Sequence, residues 1–417
     1  CSILGFKMLN RGNVYAALAA LSLAGYPFIA ATSAVLGVGS TVPSIAMRSL
    51  IIVLSLILIF SGKYKSSAVN WVYFALFSFW FLYGLRIYYD TASDHIELSK
   101  PTFEYWIWAF GACFIPSFGL LTLQSKKYLD ESINYSFFLL FFASIFSAIA
   151  GGTTVDNLSE TYDSGRFRLD SLNPISLGHL GVSLMLIASW RYMKNGRIFF
   201  FGGRNLLFIS SIFLGFYLML ASASRGPLVA FLIIGVVYIF STKGVKSLVS
   251  ITIFSALIFL FYQVASMMGE VGGFNTIGRV MDALSGDDLN VSIRGVAFYG
   301  AWHQFLESPF FGASLEENIT KMNPHNIVIE AFMSTGFLGG SLLMIILIFA
   351  LFAAIKFLNK KESFGWVVLI FLQYLIASQF SGAIYNTATF WSFLAIVIAL
   401  CALKSRVKNK NISIAYA

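Results

Sequence analysis

The sequence predicts an all-α, polytopic integral membrane protein, organised as a single membrane domain over residues 1–417. Hydrophobic residues make up 58% of the chain and charged residues only 11%, whereas soluble domains contain roughly a quarter charged residues. Many apolar runs approach the roughly 20 residues that cross the core of a bilayer. Basic residues are concentrated in every second segment that connects these runs. Together these observations predict about twelve transmembrane helices and no separate soluble domain.

The predicted spans follow the apolar runs in order. They lie near residues 14–38, 43–60, 67–89, 103–123, 134–150, 175–193, 205–222, 227–241, 248–265, 327–355, 364–380 and 388–403. The opening from Lys7 to Leu36 has no polar region with a cleavage site, so we interpret it as a first span rather than a removed signal peptide.

The basic residues support an even number of spans. With both termini in the cytoplasm, most of the 28 Lys and Arg residues fall in the predicted inner segments, and every inner segment contains some. This is the positive-inside pattern, which an odd number of spans would disrupt. The net charge of +9 is therefore attributed to topology and to anionic membrane lipids, and nucleic acid is not expected as a partner.

Two external loops are long, at residues 151–174 and 266–326. Long loops in compact proteins are usually functional or disordered. The second loop contains apolar residues at helical intervals, which predict one or two amphipathic helices on the membrane surface or over a cavity. These residues are Val296, Phe298, Trp302, Phe305 and Leu306. The functional face is therefore predicted to be external.

The basic residues of the predicted external side are mainly arginines. They are Arg48, Arg86, Lys100, Arg166, Arg168, Arg225, Arg279, Arg294 and Lys321. A guanidinium group binds phosphate oxygens in pairs and stays charged at any working pH, which suggests a ligand that carries a diphosphate. The alternative is pairing with acidic residues. For Arg48 and Arg86, snorkelling or structural pairing is an equally good interpretation.

Arg225 is the strongest single candidate among them. It lies in "ASASRGPLVA", between two apolar runs. An arginine this close to hydrocarbon is costly and tends to face the interior of the helix bundle, which makes it a functional candidate, with snorkelling as the alternative. Gly226 and Pro227 predict a tight turn, with Pro227 at the first helical position.

His325 is one of only four histidines and precedes an apolar run. Asn323 is a suitable N-cap and Pro324 a suitable first helical residue, so His325 is predicted in the first helical turn. The helix dipole disfavours imidazolium there, and a neutral ring at the membrane boundary suits a general base. The alternative is a polar cap without chemistry. Glu330 either orients this ring or hydrogen-bonds within the bundle.

Four segments of the chain resemble the O-antigen ligase and polymerase superfamily. The family pattern contains an Arg, a Trp, a Pro-x-x-Gly step, and then His-Asn, Glu and Gly-x-x-Gly as the chain enters a span. The matching segments are "GRFRLDSLNPISLGHLG", "ASASRGPL", "RGVAFYGAWHQFLESPFFG" and "NPHNIVIEAFMSTGFLGG". The resemblance covers roughly residues 165–340 and agrees with twelve spans in a GT-C-like arrangement. The segment "PFFGAS" departs from it by lacking a further Gly.

The resemblance implies an inverting, metal-independent glycosyl transfer without a cofactor, on the periplasmic face of the bacterial inner membrane. The donor would be an oligosaccharide on undecaprenyl diphosphate. His325 would take the proton from the acceptor hydroxyl, and Arg225 and Arg294 would hold the diphosphate and stabilise charge on the leaving group. Additional substrate-binding residues would be Arg166, Arg168, Arg279, Trp302, Asn326 and Glu330.

No metal site is predicted. The "GDD" at residues 286–288 is isolated, and the four histidines do not cluster in the sequence. The implied partners are the donor lipid, a lipid-linked sugar or lipid A-core acceptor, membrane lipids, and a chain-length regulator or other polysaccharide-assembly proteins.

The sequence leaves three functions open. A polymerase joins lipid-linked repeat units, whereas a ligase transfers the finished chain to lipid A-core or to protein. The bias toward Ile, Phe, Lys, Asn and Ser is typical of A+T-rich surface-polysaccharide genes, which favours the polymerase. The third function is a lipid-linked oligosaccharide transporter. A transporter is expected to show matched halves and ionisable residues at the midplane, whereas this sequence shows no internal repeat and concentrates its polar residues in one external loop.

Overall fold

The structure, a computed structural model, describes residues 10–62, 69–92, 96–154, 169, 171–194, 203–243 and 289–415. The helical elements are α1 (Arg11–Val35), α2 (Thr41–Ser61), α3 (Asn70–Ala92), α4 (Thr102–Trp106), a π-helical segment (Ile107–Phe114), α5 (Ile115–Leu121), α6 (Lys127–Thr154), α7 (Pro174–Lys194), α8 (Gly203–Ala221), α9 (Arg225–Lys243), α10 (Leu289–Glu307), α11 (Ile327–Asn359), α12 (Gly365–Ala377) and α13 (Ala388–Ala415). Within these ranges, β structure is limited to one isolated bridge between Leu169 and Leu172. The all-α fold is confirmed.

Eight of the described helices are long and apolar enough to cross a membrane, namely α1, α2, α3, α6, α8, α9, α11 and α13. The chain is thus a multi-pass membrane protein. Three further predicted spans correspond to helices that do not meet the same criteria. Residues 103–123 form the consecutive segments α4, π-helix and α5, residues 175–193 form α7, and residues 364–380 contain the shorter α12. The predicted span at 248–265 lies outside the described residues.

The core lies around α12 and the first turns of α13, whose side chains are buried nearly throughout, whereas α2 is mostly exposed. Aromatic rings connect α13 to α3: the ring centroid of Trp391 lies 4.7 Å from that of Trp80 and 5.6 Å from that of Phe79. Rings at such separations stabilise packing beyond the area they bury. These contacts fix the turn between α12 and α13 relative to α3.

Helix α11 is interrupted at Gly336, where φ is +66° and ψ is −163°. The loop from Pro309 to Gly312 fills the break, because the amide of Phe337 donates to the carbonyl oxygen of Pro309 at 2.6 Å. A Cβ atom at Gly336 would lie 2.3 Å from the carbonyl oxygen of Phe310, so only glycine fits here. A break in a spanning helix is tolerated where the protein satisfies the released backbone groups. The "PFFG" step is therefore bound to the N-terminal part of α11.

Candidate active site

Arg86 on α3 anchors the segment that follows α10. Its guanidinium donates to the carbonyl oxygens of Phe311 at 2.7 Å, Gly312 at 2.8 Å and Ser334 at 2.7 Å. It also forms a 3.0 Å ion pair with Asp90. The planar fork of arginine suits several carbonyl groups at once. Of the interpretations left open for Arg86, these contacts support the structural one.

Acidic side chains fix the rest of this segment. Asp90 accepts a hydrogen bond from the amide of Leu315 at 2.6 Å. Glu316 accepts from the hydroxyl groups of Ser99 and Tyr105, both at 2.6 Å. Such charge-assisted hydrogen bonds are shorter and stronger than neutral ones. The segment before His325 is thus bound to α3, to α4 and to the residues between them.

Asn326 is the N-cap of α11. Its side-chain oxygen accepts from the amides of Val328 at 3.1 Å and Ile329 at 3.0 Å. The helix begins at Ile327, whose amide donates to the carbonyl oxygen of Ser378 at 3.1 Å. The prediction of a cap at residue 323 and a helix start at residue 324 was therefore wrong by three residues. The second Asn of "NPHN" is the N-cap because its side-chain oxygen accepts hydrogen bonds from two of the first backbone amides of the helix.

His325 therefore lies just outside α11 instead of in its first turn. Its φ is +54°, in the left-handed region, which for a residue other than glycine is uncommon and is found at functional sites. The ring is half-buried. Its Nδ1 atom is enclosed and has no hydrogen-bond partner within the described part of the chain. Burial, followed by the positive charge of Arg294, lowers the pKa of His325 to about 4, so the ring is neutral at pH 7. A neutral ring was expected, but its main cause is burial and not the helix dipole.

Arg294 on α10 and the segment around His325 are held by the same turn. The Nη1 atom of Arg294 donates to the carbonyl oxygen of Phe380 at 3.0 Å. The side-chain amide of Asn326 donates to the carbonyl oxygen of Gln379 at 3.4 Å. Two successive carbonyl groups in the turn after α12 thus bring together residues that are far apart in the sequence. The side-chain oxygen of Asn326 accepts hydrogen bonds from α11, and its side-chain nitrogen donates to the turn. Asn326 therefore positions the neighbouring His325.

Glu330 is completely buried, with 0% of its surface exposed. Its carboxylate accepts from the hydroxyl of Tyr83 at 3.3 Å, the side-chain amide of Asn323 at 3.4 Å and the backbone amide of Ile384 at 3.0 Å. All three partners belong to the protein, so these contacts support hydrogen bonding within the bundle. Glu330 thereby connects the residues before His325 to those that precede α13.

Arg225 is the first residue of α9 and is half-buried. The turn before it is at Ala223, which has a φ of +44°, so the predicted turn at residues 226–227 and a helix start at Pro227 were wrong by a few residues. Helix α9 packs against α11 and α12. Helix α11 begins just after His325, and α12 ends at the turn that binds Arg294.

Trp302 lies on the outer face of α10, which confirms the predicted helix in this part of the long loop. Its side chain is 41% exposed, and Tyr299 and Leu306 on the same face are more exposed still. On the inner side, the ring of Phe305 lies 5.1 Å from that of Phe332 on α11. Helix α10 thus packs against α11 with one face and exposes aromatic and aliphatic side chains on the other. Its location on a membrane surface stays a prediction.

Several predicted features lie outside the described residues. They are Arg166, Arg168, Arg279, the "GDD" at 286–288, most of the loop 151–174 and the start of the loop 266–326. Sequence reasoning also missed the turn 378–386. Its signal is "SQFSGAIYN", a run with several polar residues between two apolar runs. Within the described ranges, no three His, Cys, Asp or Glu side chains gather into a cluster that could hold a metal ion.

The comparison with known families matches residues 210–344 to the model described as O-antigen ligase. The matched segment contains Arg225, Arg294 and His325, and it includes the "PFFG" step beside the broken helix α11. No curated protein matches the chain. The family match confirms the resemblance found in the sequence: residues 210–344 match a domain of the O-antigen ligase and polymerase superfamily.

Proposed function

We propose that the protein transfers an oligosaccharide from undecaprenyl diphosphate to a sugar hydroxyl on the periplasmic face of the inner membrane. The observation that carries this proposal is the arrangement of His325 beside Arg294. A neutral, half-buried imidazole with an unpartnered ring nitrogen is held by the same turn as a guanidinium group. Both lie within the segment that matches the O-antigen ligase family.

The proposed reaction is an inverting displacement. The acceptor hydroxyl attacks the anomeric carbon and forms the new carbon–oxygen bond while the bond from that carbon to the phosphate oxygen breaks. The proton of the hydroxyl passes to His325, and the undecaprenyl diphosphate leaves with the electron pair. Arg294 and Arg225 stabilise the charge that develops on this leaving group, a role that preorganised cations perform well without a metal.

Donor binding and base strength are coupled in this proposal. The positive charge of Arg294 is the second cause, after burial, of the low pKa of His325. A bound diphosphate offsets that charge, which raises the pKa toward the range where a general base is effective. The imidazole then becomes a competent base only when the donor is in place. Without bound donor, the imidazole of His325 stays neutral and is a poor base. Once the donor is bound, this coupling does not prevent water from attacking in place of the acceptor.

The finer topology belongs to the same proposal: twelve spans in a GT-C-like arrangement, with both termini in the cytoplasm. Residues of three predicted inner segments meet at Glu362, which lies 3.6 Å from Lys126 and also pairs with Lys404. Residues of the predicted outer segments meet around Arg86, Glu316 and the turn after α12. This segregation supports the proposed sidedness.

Two acceptors are proposed, in order. Composition favours a second lipid-linked repeat unit, which makes the protein a polymerase. The alternative acceptor is lipid A-core, which makes the protein a ligase, and the matched O-antigen ligase model is compatible with either reaction. Both reactions use the same donor, base and leaving group, so the acceptor alone separates them.

The test uses the purified protein in lipid nanodiscs with a lipid-linked oligosaccharide donor. Each acceptor is supplied separately, and the product linkage is determined by NMR. We expect transfer with inversion at the anomeric carbon, at an undiminished rate in excess EDTA. Retention of configuration, or a loss of turnover that added divalent metal restores, would overturn the proposed mechanism. Transfer to neither acceptor would overturn the function.

A further inference from the structure

A pocket of about 200 Å³ lies at the end of the helices that is remote from His325. The first turns of α6 and α8, the last turn of α7 and the segment around the start of α12 enclose it. Helix α12 runs from this pocket to the turn that binds Arg294 and Asn326, a length of roughly 20 Å at the rise of an α-helix. The pocket is therefore separate from the candidate active site.

Three basic side chains and one carboxylate line the pocket. They are those of Arg191, Lys194, Arg204 and Asp130. In the part of the chain that the structure describes, none of the three cations forms an ion pair with a carboxylate. Three positive charges and one negative charge leave a net charge of +2 around this small volume, and like charges so confined repel one another. The pocket is thus suited to an anion.

Arg191 is held in this pocket by neutral groups. Its Nη1 atom donates to the side-chain oxygen of Asn134. Its guanidinium carbon lies 5.4 Å from the ring centroid of Phe137 and 5.2 Å from that of Phe208, which are cation–π distances. An amide and two aromatic rings orient the guanidinium group but do not neutralise its charge. Among the described residues, the other side-chain N–H groups of Arg191 have no acceptor, so they can donate to a ligand.

Exposed aromatic side chains continue from the pocket along α6. Phe138 and Phe142 follow the lining residue Asn134 at successive turns, and both are exposed. Residues four apart lie on the same face of a helix. Helix α6 is one of the described helices that are long and apolar enough to cross a membrane, so this exposed face contacts lipid acyl chains. The pocket thus lies where the hydrocarbon of the membrane meets its charged head groups.

We propose that this pocket binds the phosphodiester head group of an anionic phospholipid, an inference that does not depend on the proposed glycosyl transfer. The phosphate accepts hydrogen bonds from the three basic side chains, and such charge-assisted bonds are strong. Basic pockets between membrane helices bind anionic lipid head groups in this way. The acyl chain lies along Phe138 and Phe142.

The remaining carboxylate favours a head group that carries hydroxyls. Asp130 opposes a bare anion but accepts hydrogen bonds from hydroxyl groups. A glycerol head group, as in phosphatidylglycerol, offers both the phosphate and the hydroxyls. A free phosphate ion uses the same cations but gains nothing from the exposed aromatic face of α6. Because the lipid contacts α6, α7 and α8 together, its binding stabilises their association.

The first test measures the binding of single lipid molecules to the purified full chain by native mass spectrometry. The variant combines Lys194→Gln with Arg204→Gln, because both side chains are exposed and their replacement leaves the core intact. We expect the Kd for phosphatidylglycerol to rise about tenfold, as the loss of charge-assisted hydrogen bonds predicts, with phosphatidylcholine binding unchanged. Lys360→Gln is the matched control, because Lys360 is exposed at the same end of the helices but does not line the pocket. An equal loss in the control would assign the effect to net charge and overturn the inference.

Asn134→Asp changes the charge of the pocket without changing its shape. The carboxylate accepts the same hydrogen bond from Arg191 and supplies a negative charge beside it. We expect phosphatidylglycerol to bind about tenfold more weakly and the lipid-free protein to unfold at a higher temperature than the wild type. Undiminished lipid binding by this variant would overturn the inference.

Competition identifies the source of the phosphate. The readout is the rise in the thermal unfolding temperature that phosphatidylglycerol produces in the wild-type protein. Inorganic phosphate is then added, with sodium chloride of the same ionic strength as the control for screening. We expect the rise to be the same in both salts, because free phosphate lacks the contacts of the acyl chain. A smaller rise in phosphate than in chloride would assign the pocket to a soluble anion. Equal stabilisation by phosphatidylglycerol and phosphatidylcholine would show that the cations do not select the lipid, and either result overturns the inference.

Discussion

At the scale of single residues, the proposed chemistry depends on the charge of one imidazole. The pKa of His325 lies below its ordinary value because of burial and the neighbouring Arg294. The neutral form therefore persists well below pH 7 and is lost only as the pH falls through about 4. Removal of the positive neighbour must move this transition to higher pH.

Arg294→Gln tests this electrostatic coupling. We expect a higher pKa for His325 in the variant, because the neutral amide no longer disfavours the imidazolium form. The measurement is an NMR titration of the histidine ring protons in nanodiscs, with the His325 resonance assigned by its absence in His325→Ala. An unchanged or lower pKa would show that Arg294 does not act on the ring, and the coupling to donor binding would then be rejected.

His325→Ala tests the base itself. Removal of a general base typically lowers the rate by about 10² to 10⁴, while donor affinity should change little because the proposed partner of the ring is the acceptor. His303→Ala is a matched control, since this side chain is 74% exposed and contacts Glu307 of the same helix. Transfer rates and donor affinity are compared at equal membrane abundance. Normal turnover by His325→Ala would leave His325 with only a structural role.

At the scale of elements, the broken helix α11 sets the position of the site. Gly336→Ala must strain the left-handed backbone, at a cost of about 1–3 kcal/mol, and place a methyl group against the carbonyl of Phe310. We expect a lower thermal unfolding temperature and weaker transfer. Gly295→Ala is the control, because a Cβ atom there meets nothing within 4 Å. Equal stability of the two variants would show that the "PFFG" step does not depend on the break.

The same elements show what local sequence patterns can predict. The apolar run predicted α11 from residue 327 onward, and the pattern around Trp302 predicted α10, because burial and lipid contact impose a helical period on neighbouring residues. The break at Gly336 was not predicted, and a structural role for Arg86 was only one of the interpretations left open. Both depend on residues distant in the chain: Phe310 closes over the glycine, and Arg86 binds carbonyl groups of the segment after α10. Hydropathy carries no information about such partners.

For the candidate site, the sequence singled out individual residues but not the contacts that connect them. The sequence showed that His325 is one of only four histidines and that Arg225 lies close to hydrocarbon, where a charge is costly. The shared turn was not, since the carbonyl groups of Gln379 and Phe380 act through their backbone, which any residue provides. The N-cap was also ambiguous, because "NPHN" offers two asparagines with the same capping chemistry.

At the scale of the whole molecule, the proposal requires His325 to face the periplasm. Residues from distant segments separate into two groups at opposite ends of the helices. One group surrounds Glu362 with lysines, and the other joins Arg86 to the segment before α11. The positive-inside rule assigns the lysine-rich end to the cytoplasm.

Cysteine labelling tests this orientation directly. Ile319→Cys places a thiol at a loop position that is 79% exposed at the proposed periplasmic end, and Lys360→Cys places one at the exposed opposite end. Of the three native cysteines, Cys113 is buried and Cys401 partly so, while Cys1 lies outside the described residues. The unmodified protein therefore measures their background labelling. With a membrane-impermeant maleimide, spheroplasts should label Ile319→Cys at once and Lys360→Cys only after permeabilisation. The reverse order would place His325 in the cytoplasm, where the proposed undecaprenyl-linked donor is not presented for transfer. Both the proposed topology and the proposed mechanism would then be rejected.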